Sequence, residues 1–297
     1  MKTNPVYKRE MTVSARSFRL ALVLLAFNGV LALVALLNMY STLAQVHLTA
    51  EIQYTSFLDL YLFVAVLEFA MLVCIMPAVT AGSISGERER QTLELMLTTR
   101  MRPWEIVTGK LMAAVSTMFL LIISSFPILA LVFVYGGVTF RDVGILMLSY
   151  AAAALFMGSL GLFCSSVFSR TTLATVASYG IMAAVVAGTF VVNQFAYYVS
   201  GMYAGSYLAS AGQAPVQASS GGFLYLLLIN PVSTFLLSVS RLTGRQQVVA
   251  DVAGWFGEHG NGLILSRWVG ISIGLQLILA AALAAAAVKM VERTATK

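Results

Sequence analysis

Charge is what this sequence has least of. Only 10% of its 297 residues are Asp, Glu, Lys or Arg, while 59% are hydrophobic and the mean hydropathy is +0.88. A soluble chain carries roughly 25% charged residues. So few charges cannot cover a soluble fold of this composition, which excludes a soluble enzyme, a disordered chain and a disulfide scaffold together. Histidine is nearly missing too, with only His47 and His259. There is no His-Glu-x-x-His, no Cys-x-x-Cys and no Gly-x-Ser-x-Gly elbow, so nothing in the sequence supports metal or nucleophilic catalysis inside the membrane. The two cysteines, Cys74 and Cys164, both lie in apolar stretches and imply no structural disulfide. A phosphate-binding loop is also lacking. Gly109-Lys110 is followed by Leu111 instead of Ser or Thr, and Met101–Trp104 occupies the place of the upstream glycine. No cofactor is expected on this chain; ATP and its Mg, if used, belong to another.

What the sequence does have is long apolar runs. A helix crossing the hydrocarbon needs about 20 of them in a row. Six stretches qualify: 20–41, 60–79, 111–134, 143–163, 172–192 and 268–288. They predict an all-α integral membrane protein with six transmembrane helices, and they exclude a β-barrel, whose strands are short and alternating. The first run is too long for the core of a signal peptide, although Thr42-Leu-Ala44 would serve as a cleavage site.

The net charge is +6. It does not point to nucleic acid, because the basic residues flank the apolar runs, where they set orientation. One side collects Lys2, Lys8, Arg9, Arg16, Arg19, Arg88, Arg90, Arg100, Arg102, Lys110, Arg170, Lys289, Arg293 and Lys297. The other side has Arg141, Arg241, Arg245 and Arg267. The bias predicts that both termini are cytoplasmic in a multi-pass membrane protein.

A seventh stretch, 223–237, is too short to span as a helix and is broken at Asn230-Pro231. It reads as a re-entrant or interfacial hairpin on the outer side, inside a long outer segment over 199–266; the alternative is a seventh span, which would put the C-terminus outside, against its basic tail. Within that segment, 200–222 is rich in Gly, Ala and Ser and reads as mobile, and 245–256 reads as a short interfacial helix. The chain is then one transmembrane domain over 1–297, with 1–19 before the first span and a connection over 80–110 between the second and third.

That connection is the most informative segment. Four of the twelve acidic residues lie there: Glu87, Glu89, Glu94 and Glu105. Leu93, Met96 and Leu97 share one helical face, and Arg90 could pair with Glu94 at i, i+4. The spacing predicts a short amphipathic helix with a charged exposed face, serving either as a solvated loop helix or as a docking element for a cytoplasmic partner.

Here the chain resembles the type-2 ABC exporter permeases. Three pieces carry the likeness: Glu87-Arg88-Glu89-Arg90, Thr92-Leu93-Glu94-Leu95-Met96-Leu97, and Glu105-Ile106-Val107-Thr108-Gly109-Lys110. The opening Asn4-Pro5-Val6-Tyr7-Lys8-Arg9-Glu10 and the Asn230-Pro231 break are similar to the family as well. There are departures. Gln91 stands where a Gly often precedes Thr-Leu-Glu, and Arg100 where a Pro often ends the helix. The resemblance implies a permease subunit that pairs with a second permease chain and binds a separate P-loop ATPase. It assigns Glu87, Arg88, Glu89, Arg90, Thr92, Leu93 and Glu94 to ATPase coupling, and 1–19 to an amphipathic connecting helix.

Glu68 falls near the middle of the second span. An acid there is either a pathway residue or a hydrogen-bonded carboxyl packed between helices. Asn28 and Asn193 are further polar candidates for the translocation pathway, or else helix-to-helix hydrogen bonds. Gly270 and Gly274 permit close helix approach in the last span. Two other classes fit the composition: a proton-coupled secondary transporter working through Glu68, and a non-transporting accessory membrane protein.

Overall fold

The computed structural model describes residues 4–49, 55–98, 101–127, 139–211, 218–242 and 267–295. All regular structure among these residues is helical. In chain order the helices are α1 (Pro5–Ala15), α2 (Phe18–Thr49), α3 (Thr55–Ala81), α4 (Ser85–Glu89), α5 (Thr92–Thr98), α6 (Pro103–Ser124), α7 (Phe140–Val167), α8 (Thr171–Ala183), α9 (Thr189–Ala211), α10 (Pro231–Leu242) and α11 (Trp268–Ala295). A π-helical turn, Ala184–Gly188, joins α8 to α9, and a 3-10 helix, Gly221–Leu228, precedes α10. Among the described residues six helical stretches are long and apolar enough to cross a membrane, or seven if the bent pair Gly221–Leu228 and Pro231–Ser240 is one span.

Three sequence expectations need correction. The third span begins at Pro103, eight positions before its apolar run. Proline at the first helical position forfeits no hydrogen bond, and the Glu105 side chain accepts from the Arg102 backbone N–H at 3.1 Å. The far end of that run, 128–134, lies outside the described residues. The fifth span does not give way to loop at 199, because α9 continues to Ala211. Alanine is the strongest helix former, so an Ala, Gly and Ser composition does not by itself break a helix. The proposed helix over 245–256 lies outside the described residues. Finally, a Cβ added at Gly270 or Gly274 meets nothing within 4 Å among the described residues, so neither glycine serves a close approach there.

The close approach occurs elsewhere. The chain forms two compact units, the first comprising Met1–Gly144, Ala154–Ser178 and Ala280–Lys297, the second Ile145–Ala153 and Tyr179–Leu279. In the first unit α7 packs on α3 through Gly158 and Gly161. A Cβ at Gly158 would sit 2.6 Å from Met76 Cε, and one at Gly161 would collide with Thr80 Oγ1 and lie 3.2 Å from the Ala81 backbone nitrogen. Backbone cannot step aside as a side-chain tip can. Gly161→Ala is therefore expected to destabilise the protein by about 3 kcal/mol, the upper end for overpacking. A thermal unfolding midpoint unchanged from wild type would contradict this.

The second unit is organised around Asn230. Its Oδ1 accepts from the Val232 backbone N–H at 2.9 Å, capping α10, whose first residue is Pro231. Its Nδ2 donates to the Val186 carbonyl at 3.0 Å and to Thr189 Oγ1 at 2.9 Å. Val186 belongs to the π turn, which frees backbone carbonyls from the ordinary helical ladder. One side chain thus caps α10 and ties it to the π turn and the start of α9. The 3-10 helix and α10 meet at 89°. Leu224, Leu227, Leu228, Leu237 and Trp268 form the apolar core beside this corner. Thr234, Ser272 and Gln276 form a buried polar chain, with Gln276 Nε2 donating to Thr234 Oγ1 at 2.8 Å.

Candidate functional site

The site is built around Lys110, on the first turns of α6. Its ammonium lies 3.2 Å from Glu10 on α1 and 2.8 Å from Glu87 on α4, and its side chain is 4% exposed. A buried ammonium is costly unless paired, and here it has two carboxylates. The helix it belongs to is clasped by α1 along the same stretch. Asn4 caps α1 by accepting from Val6 N–H at 3.0 Å and donates to the Glu105 carbonyl at 2.7 Å. Val6 is buried against Gly109, where a Cβ would stand 2.9 Å from Val6 Cβ. Tyr7 and Ser116 hydroxyls meet at 3.2 Å. The Asn-Pro opening of the chain and its Gly109-Lys110 pair, separated by about a hundred residues, are two halves of one joint.

The connection between α3 and α6 is two short helices, not one. α4 ends at Glu89 and α5 starts at Thr92, with Gln91 between them at φ 56°, the one positive φ of a non-glycine among the described residues. This overturns the expected Arg90–Glu94 pairing on a single helix: Arg90 caps α4, whereas Glu94 lies on α5. It also gives the reason a Gly suits the place that Gln91 occupies. The left-handed conformation costs an L-residue about 1–2 kcal/mol, and glycine is free of that cost. Gln91→Gly is expected to raise stability by about 1 kcal/mol, read as a higher unfolding midpoint; a fall would contradict the strain.

Three consecutive side chains of α4 bind three different places. Glu87 reaches Lys110 on α6. Arg88 Nη2 donates to the Ser166 carbonyl near the end of α7 at 3.2 Å. The Glu89 carboxylate accepts from Thr171 N–H at 2.8 Å and from its hydroxyl, so an acid sits on the positive N-terminal end of α8. The favour is returned from α7, where Ser165 Oγ accepts from the backbone N–H groups of Ile84 and Ser85, both at 2.9 Å. Those are donors that a helix start leaves unsatisfied. Leu93 is buried, anchoring α5, and Thr92 Oγ1 donates to the Glu87 carbonyl at 3.1 Å. Facing outward are Glu89, Arg90, Gln91 and Glu94. The expected charged face is thus divided: Glu87 and Arg88 turn inward as structural ties, whereas Arg90 and Glu94 face outward.

The residues expected in the membrane part separate in the same way. Glu68 is 2% exposed, and Ser125 Oγ is hydrogen-bonded to its Oε1. Asn28 Nδ2 donates to Ser124 Oγ at 2.9 Å and to the Leu24 carbonyl. α2 and α3 are therefore each fastened to α6 by one polar residue on adjacent serines. Asn193 is fully buried in α9, and neither its Oδ1 nor its Nδ2 has a hydrogen-bond partner among the described residues. The geometry at Glu68 is that of an interhelical tie. Glu68→Gln is expected to keep stability within about 1 kcal/mol, the net worth of one hydrogen bond, and to keep transport. Transport lost from a stable Glu68→Gln protein would instead make it a pathway residue.

Sequence reasoning did not single out Glu10, Lys110, Ser165 or Thr171 as site residues. Glu10 and Lys110 each stood inside a quoted motif, so the signal was present. Ser165 and Thr171 carry no motif, and only the packing reveals them.

Among the described residues, an all-helical fold with six stretches long and apolar enough to cross a membrane, and a charged connection clamped to the third, fourth and fifth of them, fits the membrane component of a transporter. The profile of the ABC-2 family transporter proteins matches residues 5–290, and the chain belongs to that family. No curated protein matches it.

Proposed function

We propose that this chain is the permease subunit of an ATP-driven exporter. It works as a dimer that forms the translocation pathway, with both termini on the cytoplasmic side of a bacterial-type plasma membrane and ATP and Mg bound by a separate ATPase. The segment spanning α4 and α5 is the coupling element that this ATPase grips. The observation that carries the reading is the sequence of contacts from Glu87, Arg88 and Glu89 to α6, the end of α7 and the start of α8. Any force applied to this segment is delivered to three spans at once. Such an arrangement converts the movement of a partner into a rearrangement of helices. A solvated loop helix would need none of these ties. Family membership supports the same reading, since these permeases lack an ATPase domain of their own.

The test is co-expression with the candidate P-loop ATPase and purification through a tag on this chain. A stable complex whose ATP hydrolysis depends on the permease supports the proposal. An ATPase that neither binds nor responds to the permease would sink it and leave proton-coupled transport as the reading to test.

A further inference from the structure

α1 has two faces, and packing accounts for only one of them. Asn4, Val6, Tyr7 and Glu10 hold the helix to α6, and Glu10, its one acid, is spent there on Lys110. The opposite face is exposed and carries Lys8, Arg9, Thr12 and Arg16. Lys8, Thr12 and Arg16 follow one another at i, i+4 and i+8, and Arg9 lies seven positions before Arg16, so the three cations share one side of the helix. None of them forms an ion pair among the described residues. The bias of basic residues toward one side of a membrane explains their presence but not their sorting by helix face. The face also runs up to the membrane. Arg16 stands four residues before Leu20, where the first apolar span begins. Two apolar side chains are exposed at the same place: Val13, one turn from both Arg9 and Arg16, and Phe18, the first residue of α2.

We propose that this face of α1 binds the headgroups of anionic phospholipids in the leaflet that borders it. Lys8, Arg9 and Arg16 meet lipid phosphates, and Val13 and Phe18 enter the apolar layer just beneath, as the two kinds of side chain do on an interfacial helix. The charge selects the lipid. A zwitterionic headgroup carries a phosphate but cancels it with its own ammonium, and this face offers no acid to receive that ammonium. Three unopposed cations therefore favour headgroups with a net negative charge. The closeness of Arg16 to the first span favours a lipid surface over an acidic protein as the source of that charge. Bound lipid then holds α1 from outside while Asn4, Val6, Tyr7 and Glu10 hold it to α6 from inside, so the joint at Lys110 is braced by the leaflet. The inference rests on α2 crossing the membrane and needs no ATPase partner.

The test captures the lipid that touches this face. A photo-activated cross-linker replaces Thr12 in the full chain, which is reconstituted in discs of equimolar phosphatidylglycerol and phosphatidylcholine. The attached lipid is then identified by mass spectrometry. At about 0.1 M salt, phosphatidylglycerol is expected to be captured about tenfold over phosphatidylcholine, since each cation near an anionic leaflet strengthens binding about fivefold. With Lys8→Gln, Arg9→Gln and Arg16→Gln added, the ratio is expected to fall to about one while lipid is still captured. The same fall is expected without these substitutions at about 1 M salt, where exposed charges are screened beyond about 3 Å, so the outcome does not hang on the folding of a charge variant. Equal capture of the two lipids at low salt, a preference that survives neutralisation or high salt, or no lipid on position 12 overturns the proposal.

Discussion

Lys110→Met is expected to destabilise the protein by about 3 kcal/mol, because it removes one partner from a buried ion cluster and leaves two carboxylates facing each other. The cost is placed at the low end for a broken buried pair because Glu10 is 37% exposed and can recover water, whereas Glu87, at 16%, cannot readily do so. The variant also cuts the tie between α4 and α6. Its thermal midpoint should fall by several degrees, and ATP hydrolysis by the complex should lose its dependence on the permease. Adding Glu87→Gln should restore part of the stability, since the second substitution removes the charge that the first stranded. That recovery is the signature of direct coupling in a double-mutant cycle. A Lys110→Met protein as stable as wild type would show that the cluster carries no weight.

The second large effect is on the partner and not on the fold. Exchanging the two outward charges, Arg90→Glu with Glu94→Arg, is expected to leave stability within about 0.5 kcal/mol, as surface substitutions usually do. Association with the ATPase should nevertheless fall tenfold or more, because reversed charge at an interface both loses attraction and adds repulsion, and about 1.4 kcal/mol suffices for a factor of ten. Charge reversal at Glu87 would be a poorer probe. It would break the Lys110 pair and confuse misfolding with lost docking. An exchange variant that binds the ATPase as wild type does would remove Arg90 and Glu94 from the interface.

The fold class was legible from apolar run lengths alone, because in lipid each spanning helix must satisfy its own backbone and must be long enough to cross. Helix ends were less legible. α6 starts at Pro103, within a polar stretch that hydropathy ignores, and α9 runs on through small residues that look like loop. The candidate segment was visible as a cluster of charge, but the direction of each side chain was not. An exposed helical face was expected to include Glu87 and Arg88, and a single turn of backbone at Gln91 redirects that face. The pairing of Glu10 with Lys110 spans a hundred positions and leaves no local pattern. Small residues misled in a different way: Gly270 and Gly274 have the familiar spacing, whereas Gly158 and Gly161, which are the crowded ones, do not.

The central claim is that α4 and α5 form the surface a separate ATPase grips. The most direct measurement places a photo-activated cross-linker at position 94 in the assembled complex, with a control at Tyr40, an exposed residue of α2. Capture of the ATPase from position 94 and not from position 40 is the predicted result. Failure to capture it from position 94, in a complex that still hydrolyses ATP under permease control, would contradict the account.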